Sequence, residues 1–178
     1  MSEPLSTKVI TGKVRFSYLH VWEPTAIEEG QDKKYSVSLI IPKKDKKTIA
    51  AINAAIDNAK EIGKVKLGGK IPNNLKTPLR DGDIDRSDDD NYADCFFINA
   101  NCKTKPGLVD EDVNPIMNQD DLYSGCYGRA SITFYAFNTS GNKGIACGLN
   151  NLQKLEDGDP LGGRSSAASD FGENDDLM

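Results

Sequence analysis

Apolar and polar side chains alternate along the chain from Arg129 to Phe137, and this period of two predicts a β-strand. The set that we expect to face a core is small and apolar: Ala130, Ile132, Phe134 and Ala136. The opposite set carries a cation, hydroxyls and two aromatic rings: Arg129, Ser131, Thr133, Tyr135 and Phe137. Turn-forming residues at 138–142 and a strand-like run at 143–149 follow. The pattern therefore predicts a β-hairpin with an apolar inner face and an aromatic, basic outer face.

A second alternating stretch runs from Thr7 to Trp22, and the parity of its apolar positions changes once, between Phe16 and Leu19. A single β-bulge near Ser17 explains the change and keeps Val14, Phe16, Leu19 and Val21 inward. The outward side chains are then Lys13, Arg15, Tyr18, His20 and Trp22. The sequence leaves a second place open for Trp22, as a plug at the end of a barrel.

Further strands are predicted at 35–41, 96–102 and 108–109. Lysines flank two of them: Lys33 and Lys34 precede the first, and Lys103 and Lys105 follow the second. Asp45 predicts the N-cap of a helix from Lys46 to Ile62 that stops at Gly63. The helix has an apolar stripe, which we expect to be buried: Ile49, Ile52, Ile56, Ala59 and Ile62. This set of elements predicts an all-β fold with one main helix, namely a five-stranded OB-fold barrel.

The net negative charge of the chain lies in its C-terminal segment. The chain has a net charge of −5, of which residues 156–178 contribute −6, so the remaining residues carry +1. The segment from 158 onward is rich in Gly, Ser and Asp and cannot bury a core. We therefore expect a single domain at 1–157, with room for a basic face, and a flexible acidic tail at 158–178. The tail residues expected to bind a partner are Asp170, Phe171, Glu173, Asp175, Asp176, Leu177 and Met178.

Several other classes of protein are disfavoured. No apolar run is long enough to span a membrane and no secretory signal is visible, so we expect a cytoplasmic protein. The four cysteines form no Cys-x-x-Cys pair and His20 is the single histidine, which disfavours a zinc site and predicts reduced, mostly buried thiols. No pairing of a nucleophile with a base is evident, so we expect no enzyme activity.

The segment 81–94 opens with the spacing of a calcium loop, at Asp81, Asp83 and Asp85. Arg86 stands in place of the glycine that such a loop requires, and Tyr92 in place of its glutamate. We therefore expect a solvated acidic loop, with no metal and no other cofactor. The alternative that remains open is a metal-dependent DNA-processing enzyme that uses these carboxylates.

Cations and aromatic rings on the outer faces of the first strand and the hairpin predict a surface for the unstacked bases and phosphates of single-stranded DNA. The candidate DNA-binding residues are Lys13, Arg15, Tyr18, Trp22, Lys33, Lys34, Lys103, Lys105, Arg129, Tyr135 and Phe137. Outward rings also pack beneath loops in many proteins, and a scaffold that touches only other proteins remains open as well.

The run YGRASITFYAFNTSGNKGIACGLNNLQKLEDGDPLGGR, residues 127–164, resembles phage-type single-stranded-DNA-binding proteins, a family long catalogued as a domain of unknown function. FSYLHVWEP, YSVSLIIPK, PLRDGD, VNPI and YSGCYG stand in the expected order, so the resemblance covers most of the chain. It implies an OB-fold that coats single-stranded DNA in bacteriophage DNA replication or recombination, without catalysis and inside the bacterial host. It also implies that the acidic tail recruits replication or recombination proteins. We expect no membrane partner, and a homo-oligomer remains open.

Overall fold

The computed structural model describes residues 6–25, 33–72, 75–139 and 142–161. Its regular elements in chain order are β1 (Lys8–Ile10), β2 (Val14–Thr25), β3 (Lys34–Pro42), α1 (Lys46–Ile62), β4 (Leu79–Asp81), α2 (Gly82–Asp85), β5 (Cys95–Cys102), β6 (Gly107–Val109), β7 (Tyr127–Thr139) and β8 (Asn142–Glu156). Short 3₁₀ turns lie at Asp90–Tyr92 and Gln119–Asp121. No helix in these ranges is long and apolar enough to cross a membrane.

Five strands close into a ring in the order β7-β2-β3-β5-β8, because β7 pairs with both β2 and β8. The β5–β8 contact is parallel and the other four are antiparallel. Three short strands extend the ring: β1 pairs with β7, β4 with β5, and β6 with β8. The predicted five-stranded barrel with one main helix is confirmed.

The interior of the barrel is filled by alternate residues of its strands. Ala130, Ile132, Phe134 and Ala136 of β7 are all buried, as their parity predicted. Helix α1 packs its buried face against β7. The helix ends at Gly63, where a Cβ would lie 2.2 Å from the Cβ of Ala136, so no larger residue fits this contact. The predicted inner face of the hairpin is therefore confirmed.

Helix α1 has the predicted bounds. The Asp45 side chain accepts a hydrogen bond from the N–H of Thr48, and the N–H of Gly63 donates to the Ala59 carbonyl at 2.9 Å. The predicted apolar stripe is wrong at its last member, because Ile62 is 61% exposed. An α-helix turns about 100° per residue, so the buried line through Ile52, Ile56 and Ala59 continues at Gly63 and leaves Ile62 to one side.

The predicted bulge near Ser17 is confirmed, but it is not single, because the β2–β3 register shifts again between His20 and Thr25. Ser17 of β2 pairs with Ser38 of β3 but His20 pairs with Ser36, so β2 contains one extra residue between these pairs. Tyr18 adopts a left-handed backbone conformation there, with φ of 46°. The bulge leaves Tyr18 exposed, and the pairs of β2 with β7, at Val14 and Arg15, lie before it.

Two predictions about connections are wrong. The turn expected at 138–142 has the wrong bounds, since Asn138 pairs with Lys143 and Thr139 pairs with Asn142 in the β7–β8 ladder. The prediction of a solvated loop at 81–94 is wrong for part of the segment, because α2 and a 3₁₀ turn lie within it, although five of its seven aspartates are exposed. Its Tyr92 is 1% exposed and packs edge-to-face on Phe97, with Ile40 alongside, in a second small core on the outer side of β3 and β5. Burial of this large ring fixes the segment to the barrel.

Candidate nucleic-acid interface

A row of polar and small residues crosses the outer face of all five ring strands. Thr133 of β7 lies opposite Gly148 of β8, which pairs with Asn101 of β5. Asn101 lies opposite Ser36 of β3, which in turn faces His20 of β2. With strands about 4.8 Å apart, the row follows the curved surface for about 19 Å. It connects the outer face of the hairpin to that of β2, the two surfaces in which the sequence placed the candidate residues.

Four lysines and one tryptophan lie at the same end of β2, β3 and β5. Strand β3 begins at Lys34, which lies opposite Thr25 at the end of β2. Lys103 follows the last residue of β5, which lies opposite Tyr35. Lys33 and Lys105 lie close by in sequence, and the Nζ of Lys105 is 5.0 Å from the centre of the Trp22 ring. No carboxylate in the described ranges forms a salt bridge with any of the four lysines.

The sequence left two positions open for Trp22, outward-facing or at the end of the barrel, and the structure shows features of both. Its ring is half-buried against the barrel core, and its Nε1–H donates to the Leu122 carbonyl at 3.0 Å. The remaining part of the ring faces Lys105. Trp22 therefore closes one end of the barrel and also contributes an aromatic edge to the lysine group.

Arg15 is bound by the protein itself. Its guanidinium donates to the carbonyls of Gly125 at 3.1 Å and Asp159 at 2.8 Å, and it lies 3.4 Å from the side-chain oxygen of Asn91. These bonds join the start of β2 to the segments before β7 and after β8. The structure therefore places this predicted DNA contact among the groups that hold the fold together.

Lys13 and Arg129 are also engaged within the protein. Lys13 forms a salt bridge with Glu156 and lies 5.5 Å from the centre of the Tyr127 ring. Arg129 donates from Nε to the carbonyl of Thr11 at 3.0 Å. Neither cation belongs to the lysine group at the ends of β2, β3 and β5.

The two outward rings of the hairpin lie over small residues of β8. A Cβ placed at Gly144 would lie 2.8 Å from the Phe137 ring, so this ring rests directly on the backbone of its cross-strand partner. Tyr135 lies opposite Ala146 and is 45% exposed, and its partial burial raises the pKa of its hydroxyl. Of the two rings, Tyr135 presents more surface to a ligand.

The sequence interpretation missed two outer-face residues. Lys8 of β1 lies opposite Thr133 and extends the polar row by one strand. The alternating pattern predicted a single strand from Thr7 to Trp22, so β1 was not recognised as a separate strand beside β7. Arg86 lies 5.7 Å from the Tyr18 ring, although it was assigned to an acidic loop. The sequence does mark Arg86 as unusual, because it is the single cation in residues 81–94, which contain seven aspartates.

The carboxylates of the acidic segment bind groups of the protein. The Nζ of Lys43 is 2.9 Å from Asp81 and 2.8 Å from Asp83. The hydrogen bond from Lys43 and a second from the N–H of Asp94 lower the pKa of Asp83. No group of three potential ligands with metal-binding geometry occurs in the part of the chain that the structure describes. Lys43 thus pairs with two of the carboxylates that the enzyme hypothesis requires as metal ligands.

The four cysteines divide into two buried thiols, Cys126 and Cys147, and two that are partly buried, Cys95 and Cys102. Burial raises the pKa of all four thiols.

The start of the predicted tail contacts the barrel. The N–H of Gly158 donates to the Tyr123 hydroxyl at 3.2 Å, and the N–H of Leu161 donates to the Ser124 carbonyl at 2.9 Å. The predicted partner-binding residues, from Asp170 to Met178, lie outside the described residues.

Comparison with known proteins confirms the resemblance seen in the sequence. A family model described as "Enterobacter phage Enc34, ssDNA-binding protein" matches residues 7–178. The putative protein p50 of Acyrthosiphon pisum secondary endosymbiont phage 1 is 32% identical over 180 residues, which cover 96% of this chain and 94% of that protein.

Solved structures agree with this match. The single-stranded DNA-binding protein from bacteriophage Enc34, in complex with ssDNA, is 26% identical with a TM-score of 0.76 over 88% of this chain and 90% of that one. Gp2.5, a single-stranded DNA-binding protein encoded by bacteriophage T7, shares the fold, with 16% identity and a TM-score of 0.59 over 94% of this chain and 96% of that one. The chain belongs to the Enc34 phage ssDNA-binding protein family.

Proposed function

We propose that this protein binds single-stranded DNA without sequence preference, by phosphate contacts to lysines and by stacking of bases on outer-face rings. Membership in the Enc34 family and the complex of the Enc34 protein with ssDNA support this function. The observation that carries the proposal is the group of Lys33, Lys34, Lys103 and Lys105 beside Trp22, with which no described carboxylate pairs.

The arrangement of lysines and outer-face rings suits a ligand that is bound through its phosphate backbone and through the faces of its bases. The lysine group would neutralise phosphates, and this releases counterions. Trp22, Tyr18 and Tyr135 would stack bases, which is worth about 1–3 kcal/mol for each base and depends little on sequence. The small residues of the polar row, such as Gly148 and Ser36, let a strand approach the sheet closely. Lys13, Arg15 and Arg129 contribute mainly by holding the barrel in shape.

We further propose a role in bacteriophage DNA replication or recombination within the bacterial host. The family of the chain supports this role, and the acidic segment 170–178 suits the recruitment of a replication or recombination protein. The protein would act by binding and protecting DNA rather than by catalysis. The engagement of Asp81 and Asp83 by Lys43 supports this over the metal-dependent enzyme.

A gel shift with single-stranded oligonucleotides of different sequence, and with a duplex of equal length, tests this function. We expect similar shifts with every single strand and a weaker shift with the duplex. Binding to neither DNA would contradict the proposal, as would cleavage of the DNA on addition of a divalent metal.

A further inference from the structure

Arg86 is bound by aromatic rings instead of by the carboxylates around it. It follows α2 in a segment that contains seven aspartates, yet within the described ranges its side chain forms no salt bridge and no hydrogen bond. Its guanidinium carbon lies 5.7 Å from the ring centre of Tyr18, 5.7 Å from that of Tyr92 and 5.6 Å from that of Phe97.

This arrangement leaves the hydrogen-bond donors of Arg86 available. Rings attract a guanidinium through their π faces, and that contact uses none of its five N–H groups. The fork of N–H donors matches a phosphate in a bidentate geometry. Tyr92 and Phe97 are rigid supports for it, since both are almost fully buried and the Tyr92 hydroxyl lies 3.1 Å from the Ser38 Oγ. Arg86 is therefore held in place without being neutralised.

Tyr18 stands beside Arg86 in a conformation that aromatic residues rarely adopt. It occupies the β2 bulge with φ of 46°, and 53% of its surface is exposed. A non-glycine residue in the left-handed region is strained, and such strain is concentrated at functional sites. The bulge turns the Tyr18 ring outward, beside a cation with unused donors.

We propose that Tyr18 and Arg86 form a nucleotide subsite, in which Tyr18 stacks a base of the single strand and Arg86 donates to a neighbouring phosphate. The subsite rests on the proposed function and adds a residue to it. In this proposal the acidic segment 81–94 positions one cation, Arg86, on the DNA-binding face. Arg86 then acts as a DNA contact and Tyr92 as its positioning residue.

Arg86→Ala and Arg80→Ala form a matched pair for the test. Arg80 lies on the neighbouring β4, its side chain is 54% exposed, and it pairs loosely with Asp85 at 3.6 Å. Both variants of the full chain lose one positive charge. Measured by fluorescence anisotropy with a labelled oligothymidine, Arg86→Ala should bind at least about fivefold more weakly and its plot of log affinity against log salt should be shallower by about 0.7. Arg80→Ala should change neither quantity.

Tyr18→Asn separates binding from folding. Asparagine tolerates the left-handed conformation better than tyrosine, so the melting temperature should be unchanged or higher. Loss of the ring should weaken binding by about 5- to 150-fold, which corresponds to about 1–3 kcal/mol. Tyr18→Phe keeps the ring and should bind like the unmodified protein.

The outcomes distinguish the subsite from the proposed function. If the unmodified protein binds no single strand, the proposed function fails and the subsite fails with it. If the unmodified protein binds but Arg86→Ala and Tyr18→Asn bind equally well, the subsite alone is overturned. It is also overturned if Arg86→Ala only lowers the melting temperature, since Arg86 would then serve only to cover Tyr92 and Phe97.

Discussion

The guanidinium of Arg15 donates from Nη2 to the main-chain carbonyl of Asp159, 2.8 Å away. Its Nε donates to the carbonyl of Gly125, a residue with φ of 117° at which a Cβ would lie 2.0 Å from the Asp159 oxygen. One cation thus fastens the chain that leaves β8 against the chain that enters β7. This contact extends the folded unit past the end of β8 by at least three residues.

We predict that Arg15→Gln lowers the free energy of unfolding by about 1–3 kcal/mol, because hydrogen bonds from a charged donor are worth about that much and the bond to Gly125 is partly buried. Urea denaturation followed by circular dichroism measures the effect. Lys105→Gln is the control, since it removes the same charge from an exposed side chain that lies over the Trp22 ring. Equal stability of Arg15→Gln and the unmodified protein, with weaker DNA binding, would instead make Arg15 a DNA contact.

The two faces of β7 should respond differently to truncation. Phe134 is 1% exposed, so Phe134→Ala should cost about 3–5 kcal/mol of stability. Tyr135 is 45% exposed, so Tyr135→Ala should leave the fold intact and weaken single-strand binding by about 1–3 kcal/mol. Thermal melting and anisotropy on the same samples separate the effects. A Tyr135→Ala protein that unfolds as readily as Phe134→Ala would show that Tyr135 is a packing residue.

Asp157 should give the fold an acid-sensitive contact. A hydrogen bond from Lys154, 2.6 Å away, and another from Tyr123 hold the pKa of its carboxyl below the usual value. Since the pKa is lower in the folded state, the stabilisation is present at neutral pH and is lost as pH falls below about 4 through the folded pKa. It should be less than about 1 kcal/mol, because the carboxylate is exposed.

Asp157→Asn should therefore melt below the unmodified protein at pH 7, and the gap should close near pH 2. Melting curves across this pH range measure the gap. Asp120→Asn is the control, because its carboxylate forms no salt bridge among the described residues. A gap that persists at pH 2 would show that the carboxylate charge is not the cause.

The acidic tail should compete with DNA for the lysine group. Residues 156–178 carry −6, and a tethered segment acts at a high effective concentration. Deletion of residues 170–178 should therefore raise affinity for single strands, most clearly at low salt. Leu177→Ala with Met178→Ala should leave DNA affinity unchanged and abolish recruitment of a replication protein. Unchanged affinity of the truncated protein at every salt concentration would leave recruitment as the tail's role.

Local signals were enough to predict much of the fold. Asp45 and Gly63 bound α1 because caps are set by the first and last turns of the helix, and the bulge at Tyr18 was visible as a change of parity. The hairpin was predicted because strict alternation with a buried face fixes which residues point inward.

The contacts that were missed join residues distant in sequence. Tyr92 enters a crevice made by Ile40 and Phe97, and no period within its own segment marks it as buried. The acceptors of Arg15 are backbone carbonyls, and because every residue has one, the sequence does not indicate which of them accept a hydrogen bond. Arg86 was overlooked because its neighbours in sequence are acids, whereas its neighbours in space are rings.

The most direct test of the account is the affinity for an oligothymidine across a salt series. It compares the unmodified protein with a variant in which Lys33, Lys34, Lys103 and Lys105 are all glutamine. We predict that log affinity falls linearly with log salt for both proteins. The slope of the variant should be shallower by about 0.7 for each phosphate contact that the glutamines remove. The two proteins should have equal melting temperatures. Identical slopes and affinities for the two proteins would contradict the assignment of the lysine group as the DNA-binding surface.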